Sequence, residues 1–597
     1  MKKISNLYII ITTLVLLIGS SCKKDFMDRY PQTSVPPDLF FNSEEDLASY
    51  VTGLLSVPGI ERYRSDQDTD DKATTAAVEI KSIMTGSPSS QNITGGWNWG
   101  RLRNINYFLE NYEKAKVSQE VKMHYAGLAR YYRALFYFGM VKRYSDVPWY
   151  SKTLNPGDTA SLYKARDPRA IVMDSVMADL AFASSNVRKS VPVGTPGLWV
   201  MKLMYSRVAL YEGTYRKYHS ELNLQTTADA FLQIAQKEAG DIIASGKFEI
   251  NSDYAALFNS SSLTGNKEVL LANIYDLDLK KASNNNDLLD YEMSPSRGLV
   301  QTYLMRDGSR FTDQPGYQTA GFVEEFKNRD LRLSAALFYP GFTFASNASN
   351  PFPYIQRLNK NFTGYHQLKG YINSTDQKVL GGVDFPAYRY AEVLLIYAEA
   401  SAELETLTQT QLDESVNLLR GRAGLPALNL AKANSDADPV LAAKYPSVSG
   451  SNKGVILEIR REKRVEFAME GYRFDDLMRW GAGKELEKIP EGMYFPGLGK
   501  YDLTGDGIED IILIDKDASI PGADQREKNS LGIPLVYYKA GSFGENVTVY
   551  LKNGKNGGTI VTETTPRTFV APKYYYRPIP FNQVTLNPAL KQIFGWN

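Results

Sequence analysis

Residues 119–144 read QEVKMHYAGLARYYRALFYFGMVKRY, and their apolar spacing decides the fold class. Leu128, Tyr131, Tyr132, Leu135, Phe136 and Met140 recur every three or four residues, which lays one apolar stripe along a helix. Residues 98–115 read as helical too, so the two segments form a long helical pair. Ser43 followed by Glu44, Glu45 and Asp46 is an N-cap with an acidic first turn, opening a helix that runs to about Leu55. Further helices are expected at 167–185, 196–218 and 226–245, and again at 388–405, 410–423 and 453–479. Helix pairs of this length, with Ala, Gly and Tyr at the crossings, predict tetratricopeptide-like stacking.

Between and after these helices the character changes. Residues 247–385 are rich in Asn, Ser, Gly, Asp and aromatics, with a strand-like piece from Val269 to Ile274. The last part, from 490 on, is turn-rich with strands expected at 510–514, 546–551 and 558–562. Long loops in a compact protein tend to face ligands. The chain is therefore mainly α: a helix-pair scaffold over 44–246 and 388–480, carrying a loop-rich irregular lobe over 247–387 and 481–597 with a few short strands.

The N-terminus carries an address. Lys2 and Lys3 precede an apolar run from Leu7 to Ile18, and the small residues Gly19, Ser20 and Ser21 lead to Cys22. That is the layout of a signal segment over 1–21. The single cysteine of the 597-residue chain standing directly after it resembles a lipobox, with Gly19 in place of the usual Leu. Cys22 is thus the expected lipidation site, and 22–43, with Pro31, Pro36 and Pro37, an extended lead to the body. The apolar run of about twelve residues is shorter than the roughly 20 needed to span a bilayer, and no comparable run follows. With one thiol no intramolecular disulfide exists, so the fold rests on its core. The expectation is an exported protein held on a membrane surface by its acyl chains.

Composition narrows the partners. The 68 basic residues nearly balance the 67 acidic ones, which argues against nucleic acid as the main partner. Only His124, His219 and His366 are available for imidazole chemistry. The chain holds 39 Tyr, 26 Phe and 6 Trp, a supply that fits aromatics buried between helices or aromatics that stack on sugar rings.

Three stretches carry candidate site residues. Gly95-Gly96-Trp97-Asn98-Trp99-Gly100-Arg101 sets two indole faces beside hydrogen-bonding groups on a glycine-freed backbone, a mixture suited to a sugar's C–H face and hydroxyl rim. The alternative is that a tryptophan plugs the core. Arg64, Asp66, Asp68, Asp70 and Asp71 form a polar loop that reads either as a solvated charge run or as a reach toward sugar hydroxyls. Tyr291, Arg297, Phe311 and Tyr317, in the irregular middle, either complete a cleft or pack in the core. Separately, Asp502, Thr504, Asp506 and Asp510, with the Ile508 carbonyl and Gly507 at the sharp turn, have the spacing of a calcium loop. Position 12 is Leu513 rather than Glu, so the motif reads equally as a plain Asp/Gly turn; no cofactor is required, and the spacing suits a hard cation such as a structural Ca²⁺. No G-x-S-x-G elbow, H-E-x-x-H motif or phosphate loop is present, and no enzyme activity is expected.

An ordered set of motifs resembles the SusD/RagB family of Bacteroidetes lipoproteins. It runs from Arg133-Ala134-Leu135-Phe136-Tyr137-Phe138 and Tyr144-Ser145-Asp146-Val147-Pro148, through Ala165-Arg166-Asp167-Pro168-Arg169 and Asn328-Arg329-Asp330-Leu331-Arg332, to Tyr388-Arg389-Tyr390-Ala391-Glu392. Glu462-Lys463-Arg464-Val465-Glu466-Phe467, Glu470-Gly471-Tyr472-Arg473, Arg479-Trp480 and Pro578-Ile579-Pro580 complete it, while Gln592-Ile593-Phe594 stands where the family often reads Gln-Asn-Pro. The resemblance implies a non-enzymatic, surface-exposed outer-membrane lipoprotein that captures oligosaccharides, or in some members peptides, for nutrient uptake. It further implies delivery to a SusC-like TonB-dependent transporter, with a structural lid lacking ligand affinity as the other possibility. In that family an aromatic at the start of the 98–115 helix often lies near the glycan, which adds weight to Trp97 and Trp99. The motif charges themselves read as scaffold, pairing Arg389 with Glu392, Lys463 with Glu466, and Glu470 with Arg473 at helical spacing.

Overall fold

The computed structural model describes residues 40–278, 280–286, 294–347 and 352–596. The signal segment 1–21, Cys22, most of the 22–43 lead and Tyr291 lie outside the described residues.

The scaffold begins with α1 (Glu44–Leu54), whose Ser43 side chain accepts the Asp46 N–H while Asp46 caps Ser43 in return. Then come α2 (Gly100–Asn111), α3 (Gln119–Tyr144), α4 (Arg169–Asn186), α5 (Leu198–Tyr218) and α6 (Ala228–Ala244). α3 starts where Ser118 accepts the Val121 N–H, carries Lys142 and Arg143 in its last turn, and stops at Ser145, which turns to φ 61°. Each of α2 to α6 packs on its neighbour in sequence, in the tetratricopeptide-like manner expected. The chain then leaves for the irregular lobe and returns through strands β1 (Val269–Asn273) and β2 (Phe385–Arg389), paired antiparallel. After β2, α7 (Tyr390–Glu403) packs on α6, and α8 (Lys453–Glu466) packs on α7.

Two helices differ from expectation. The 453–479 segment is not one helix: α8 ends at Glu466 and α9 (Arg473–Arg479) follows after a break. Met469 and Gly471 adopt φ 65° and 76°, and a Cβ on Gly471 would come within 2.7 Å of Ser65 Oγ, so the chain must turn there. The 410–423 segment likewise divides into Gln409–Asp413 and Val416–Arg422.

The lobe has its own small core, built from residues such as Leu299, Tyr303, Leu333, Tyr365, Met493, Ile511 and Leu513. Its strands are β3 (Glu491–Phe495), β4 (Gly499–Tyr501), β5 (Ile511–Asp515), β6 (Val536–Gly541), β7 (Val549–Tyr550) and β8 (Gly558–Val561). β4 to β7 form one four-stranded sheet, antiparallel at β4–β5 and parallel beyond, while β8 pairs with β3. The last helix, α10 (Phe581–Leu586), precedes a tail that buries Trp596 in the scaffold core. Among the described residues no helix is long and apolar enough to cross a membrane.

A buried ionic hub joins scaffold to lobe. Glu466 accepts from Arg389 (2.9 Å), Arg422 (2.6 and 2.7 Å) and Arg332 (3.1 Å). Arg389 also reaches Glu268 at 2.8 Å and Glu470 at 2.6 Å, and Lys369 meets Glu470 at 2.6 Å. The motif charges are therefore scaffold, but with other partners than helical spacing suggests. Arg389 ends a strand, Glu392 pairs with Arg207, Lys463 with Asp476 at 2.9 Å, and Arg473 with Asp70 at 2.8 Å. A fully buried charge takes the nearest opposite charge in space, and tertiary packing brings that from distant segments.

Candidate functional site: an aromatic cavity and a polar one

The glycine-rich stretch before α2 is held by the end of α3. The Gly95 carbonyl accepts from Arg143 Nη2 at 3.0 Å and from the Tyr144 hydroxyl at 2.9 Å. Arg143 is itself clamped by both oxygens of Glu79, at 3.0 and 2.7 Å. Gly96 sits at φ 95°, and a Cβ there would approach Arg143 Nε to 2.5 Å, so glycine is required. This turn delivers Trp97 edge-on to Tyr144 (5.0 Å, 84°) and to Trp99 (5.3 Å, 79°). Trp99 meets Tyr150 edge-on at 5.4 Å and packs beside Phe136 at 5.6 Å.

Both indoles are half-buried, and both line a cavity of about 590 Å³. Each indole packs against the scaffold core and also lines the open space of the cavity. Tyr150 and Tyr163 add aromatic surface, Leu162 and Leu586 add apolar walls, and Arg103, Lys152, Thr153, Gln583 and Asn587 bring polar groups. The segment carrying Tyr150 is fixed by Asn106, whose Nδ2 donates to the Tyr150 and Lys152 carbonyls at 2.9 and 3.1 Å. The Tyr150 N–H donates to the Tyr137 hydroxyl at 2.6 Å, and the Tyr150 hydroxyl donates to the Ser161 carbonyl at 3.1 Å. Burial pushes the Tyr150 phenol up to about 12, so it stays a neutral donor at physiological pH. From the far end of the chain, Asn587 Nδ2 donates to the Lys164 carbonyl at 3.0 Å and closes the cavity wall. Mixed ring faces and polar rim groups in a preformed concavity of this size suit a small polyhydroxylated ligand.

Other expected site residues do other work. Asn98 Oδ1 accepts the Gly100 N–H at 2.9 Å and shapes the turn. Arg101 Nη2 donates to the Leu54 carbonyl at 2.8 Å and its guanidinium lies 5.9 Å from the Tyr132 ring centre, outside the cavity lining. The polar loop 64–71 is not a solvated charge run. Asp66, Asp70 and Asp71 are buried, Asp70 with Arg464 (3.0 Å) and Arg473 (2.8 Å), Asp71 with Arg464 (2.5 Å). These arginines are buried cations that require carboxylates, and the loop supplies them.

Asp70, Arg297 and Tyr317 line a second cavity, of about 780 Å³, which shares no lining residue with the first. The two groups of expected site residues therefore do not form one cleft. Arg297 is bound to Glu325 at 2.8 Å and to the carbonyls of Tyr317, Gln318 and Ala320 at 3.2, 2.9 and 3.0 Å. Phe311 is buried beneath the Arg329 guanidinium, 3.9 Å from its ring centre. Tyr317 is half-buried in the cavity wall.

The 502–510 loop is the turn between β4 and β5. Asp502 accepts the Gly505 and Gly507 N–H groups at 2.6 and 2.9 Å, and Asp506 accepts that of Ile508 at 2.8 Å. Asp510 accepts those of Leu503 and Thr504 at 2.8 and 2.9 Å. Among the described residues no group of three or more His, Cys, Asp or Glu side chains gathers as a metal-holding set. The acidic oxygens serve the loop's own amides.

Sequence reasoning missed Tyr150, Tyr163 and the 583–590 segment of the first cavity. Tyr150, in Pro148-Trp149-Tyr150, carried a local signal as an aromatic cluster after a helix end. Nothing local places Leu586 beside Trp97.

The sequence model of the SusD family matches residues 268–596. SusD-like protein P2 of Formosa agariphila is 21% identical over 514 residues, spanning 81% of this chain and 92% of that protein. A SusD-like protein of Bacteroides ovatus is 23% identical over 514 residues, spanning 80% and 82%. Among solved structures, a SusD-like carbohydrate binding protein of Bacteroides fragilis superposes with a TM-score of 0.65 at 22% identity, covering 92% of this chain and all of that one. A second SusD-like protein of the same organism gives 0.64 at 20% identity, covering 93% and 98%.

Proposed function

The chain belongs to the SusD family, and from that premise we propose that it is a carbohydrate-capturing surface lipoprotein without catalytic activity. The observation that carries this reading is the aromatic cavity, where Trp97, Trp99, Tyr150 and Tyr163 offer ring surface beside the polar groups of Arg103, Gln583 and Asn587. Sugars bind such surfaces through C–H faces on aromatic rings and hydroxyls on donors and acceptors. Cys22, after its apolar run, supports anchoring in the outer membrane by acyl chains. Captured oligosaccharide passes in this reading to a SusC-like TonB-dependent transporter.

The test is calorimetry of the full-length chain in detergent against a panel of oligosaccharides and peptides, with Trp97→Ala and Tyr163→Ala in parallel. Tyr163 is 54% exposed, so its loss leaves the core intact. A saccharide bound by the wild type and weakened about tenfold or more by each substitution supports the reading. A peptide hit instead makes this a peptide-capturing member, and silence across the panel makes it a lid that selects nothing by itself.

A further inference from the structure

The polar cavity holds more charge than the aromatic one, and almost all of that charge is already paired. Asp70 is taken by Arg464 and Arg473, and Glu485 by Lys488 at 2.8 Å. Glu491 accepts from Lys552 at 2.9 Å and from the Thr559 hydroxyl at 2.7 Å. Glu487 accepts the Phe569 N–H at 2.7 Å, and Arg297 is held by Glu325 and three carbonyls. Lys444 is the exception. It ends the short helix Pro439–Lys444, lines the cavity, and makes no hydrogen bond or ion pair among the described residues. Tyr317, Tyr494 and Gln301 line the same space, and their side-chain polar groups likewise make no hydrogen bond among the described residues.

A half-buried ammonium beside two arginines is costly to keep charged unless an anion answers it. We propose that this cavity is a second binding site, for an acidic saccharide, in which a carboxylate or sulfate oxygen of the ligand pairs with the Lys444 ammonium while Tyr317, Tyr494 and Gln301 meet its hydroxyls. Its volume of about 780 Å³ accommodates a short oligosaccharide. The assignment rests on the saccharide reading above but not on the aromatic cavity.

The electrostatics agree. Burial pushes the Lys444 amine down to about 7, with Arg464 and Arg473 lowering it further and Asp70 and Glu485 opposing them. For Asp70, burial acts upward, but Arg464 and Arg473 prevail and hold its carboxyl far below the usual range. Both arginines stay charged, each against Asp70 and Asp71. An anion entering the cavity therefore meets an amine that takes up a proton on binding.

The experiment is calorimetry of the full-length chain with oligogalacturonate, with a sulfated galactan oligosaccharide, and with their neutral galacto-oligosaccharide counterpart. Lys444→Met and Lys444→Arg are measured beside the wild type. The expected result is preference for an acidic probe, lost about tenfold or more in Lys444→Met and retained in Lys444→Arg. The two acidic arms tell carboxylate from sulfate. Wild-type affinity for that probe falls roughly tenfold between about pH 7 and about pH 8.5, and in Lys444→Arg it does not. Should Lys444→Met not fold, the pH profile against Lys444→Arg decides alone. Neutral and acidic probes bound alike, or an acidic probe indifferent to Lys444, overturns this site and leaves the saccharide reading standing. No saccharide bound at all overturns both.

Discussion

Converting Glu466 to Gln removes one negative charge from the centre of the hub while keeping its shape. Its two oxygens make four contacts, of 2.6 to 3.1 Å, with Arg332, Arg389 and Arg422. Arg389 keeps Glu268 and Glu470, and Arg332 keeps Asp330 and Glu462; Arg422 keeps only Glu268, at 2.9 Å. The loss is therefore one buried partnership rather than three, which costs about 4 kcal/mol. For a cooperative unit of about 550 residues, unfolding entropy near ~2.1 cal/mol/K per residue gives ~1.2 kcal/mol/K, so the melting temperature drops by about 3 °C. Circular dichroism melts and urea titrations at neutral pH measure it. Glu249→Gln, which breaks the exposed pair with Lys267, is the control and is expected to change nothing measurable. Burial acts to raise the Glu466 carboxyl, but Arg422, Arg389 and Arg332 outweigh it and hold it well below the usual range. Its contribution is thus complete above the ordinary carboxylate pKa of ~4.3 and disappears as pH falls further, so the wild-type advantage narrows in acid. A melting temperature within about 1 °C of wild type at neutral pH refutes the hub as a structural clamp.

Two further outcomes are expected. Burial, then the neighbouring Asp66, raises the Asp68 carboxyl to about 7, and its buried Oδ1 has no hydrogen-bond partner among the described residues. The folded state then holds an extra proton between about pH 4 and pH 7, so stability falls as pH rises through that window; Asp68→Asn removes the fall, at most ~4 kcal/mol, which parallel urea titrations at pH 5 and pH 8 detect. Because the acidic oxygens of 502–510 already accept loop amides, the melting temperature is expected to be equal in EDTA and in millimolar Ca²⁺. A rise of about 1 °C or more that Asp506→Ala abolishes supports the calcium reading instead.

Much of the architecture was legible because its causes are local. The stripe from Leu128 to Met140 announced α3, and the Ser43 N-cap with its acidic first turn announced α1. The break after Glu466 was not legible, because Gly471 turns there to make room for Ser65, hundreds of residues away. The tryptophans stood out in the sequence within the glycine-rich 95–101 stretch, and both line a cavity. Asp70 read as part of a solvated charge run or of a reach toward sugar hydroxyls and is instead the partner of two buried arginines, while Lys444, which no sequence pattern singled out, is the one unpaired cation, among the described residues, lining the polar cavity.

By itself the sequence determined periodicity, caps and the order of family motifs, all properties of residues within a few turns of one another. Only the tertiary structure decided which charge meets which, since buried ions choose partners by distance through space, as Arg389 does in passing over Glu392 for Glu268, Glu466 and Glu470. It also decided that the candidate ligand residues belong to two cavities, because a cavity wall is assembled from segments such as 97–106, 148–163 and 583–590 that no local pattern links.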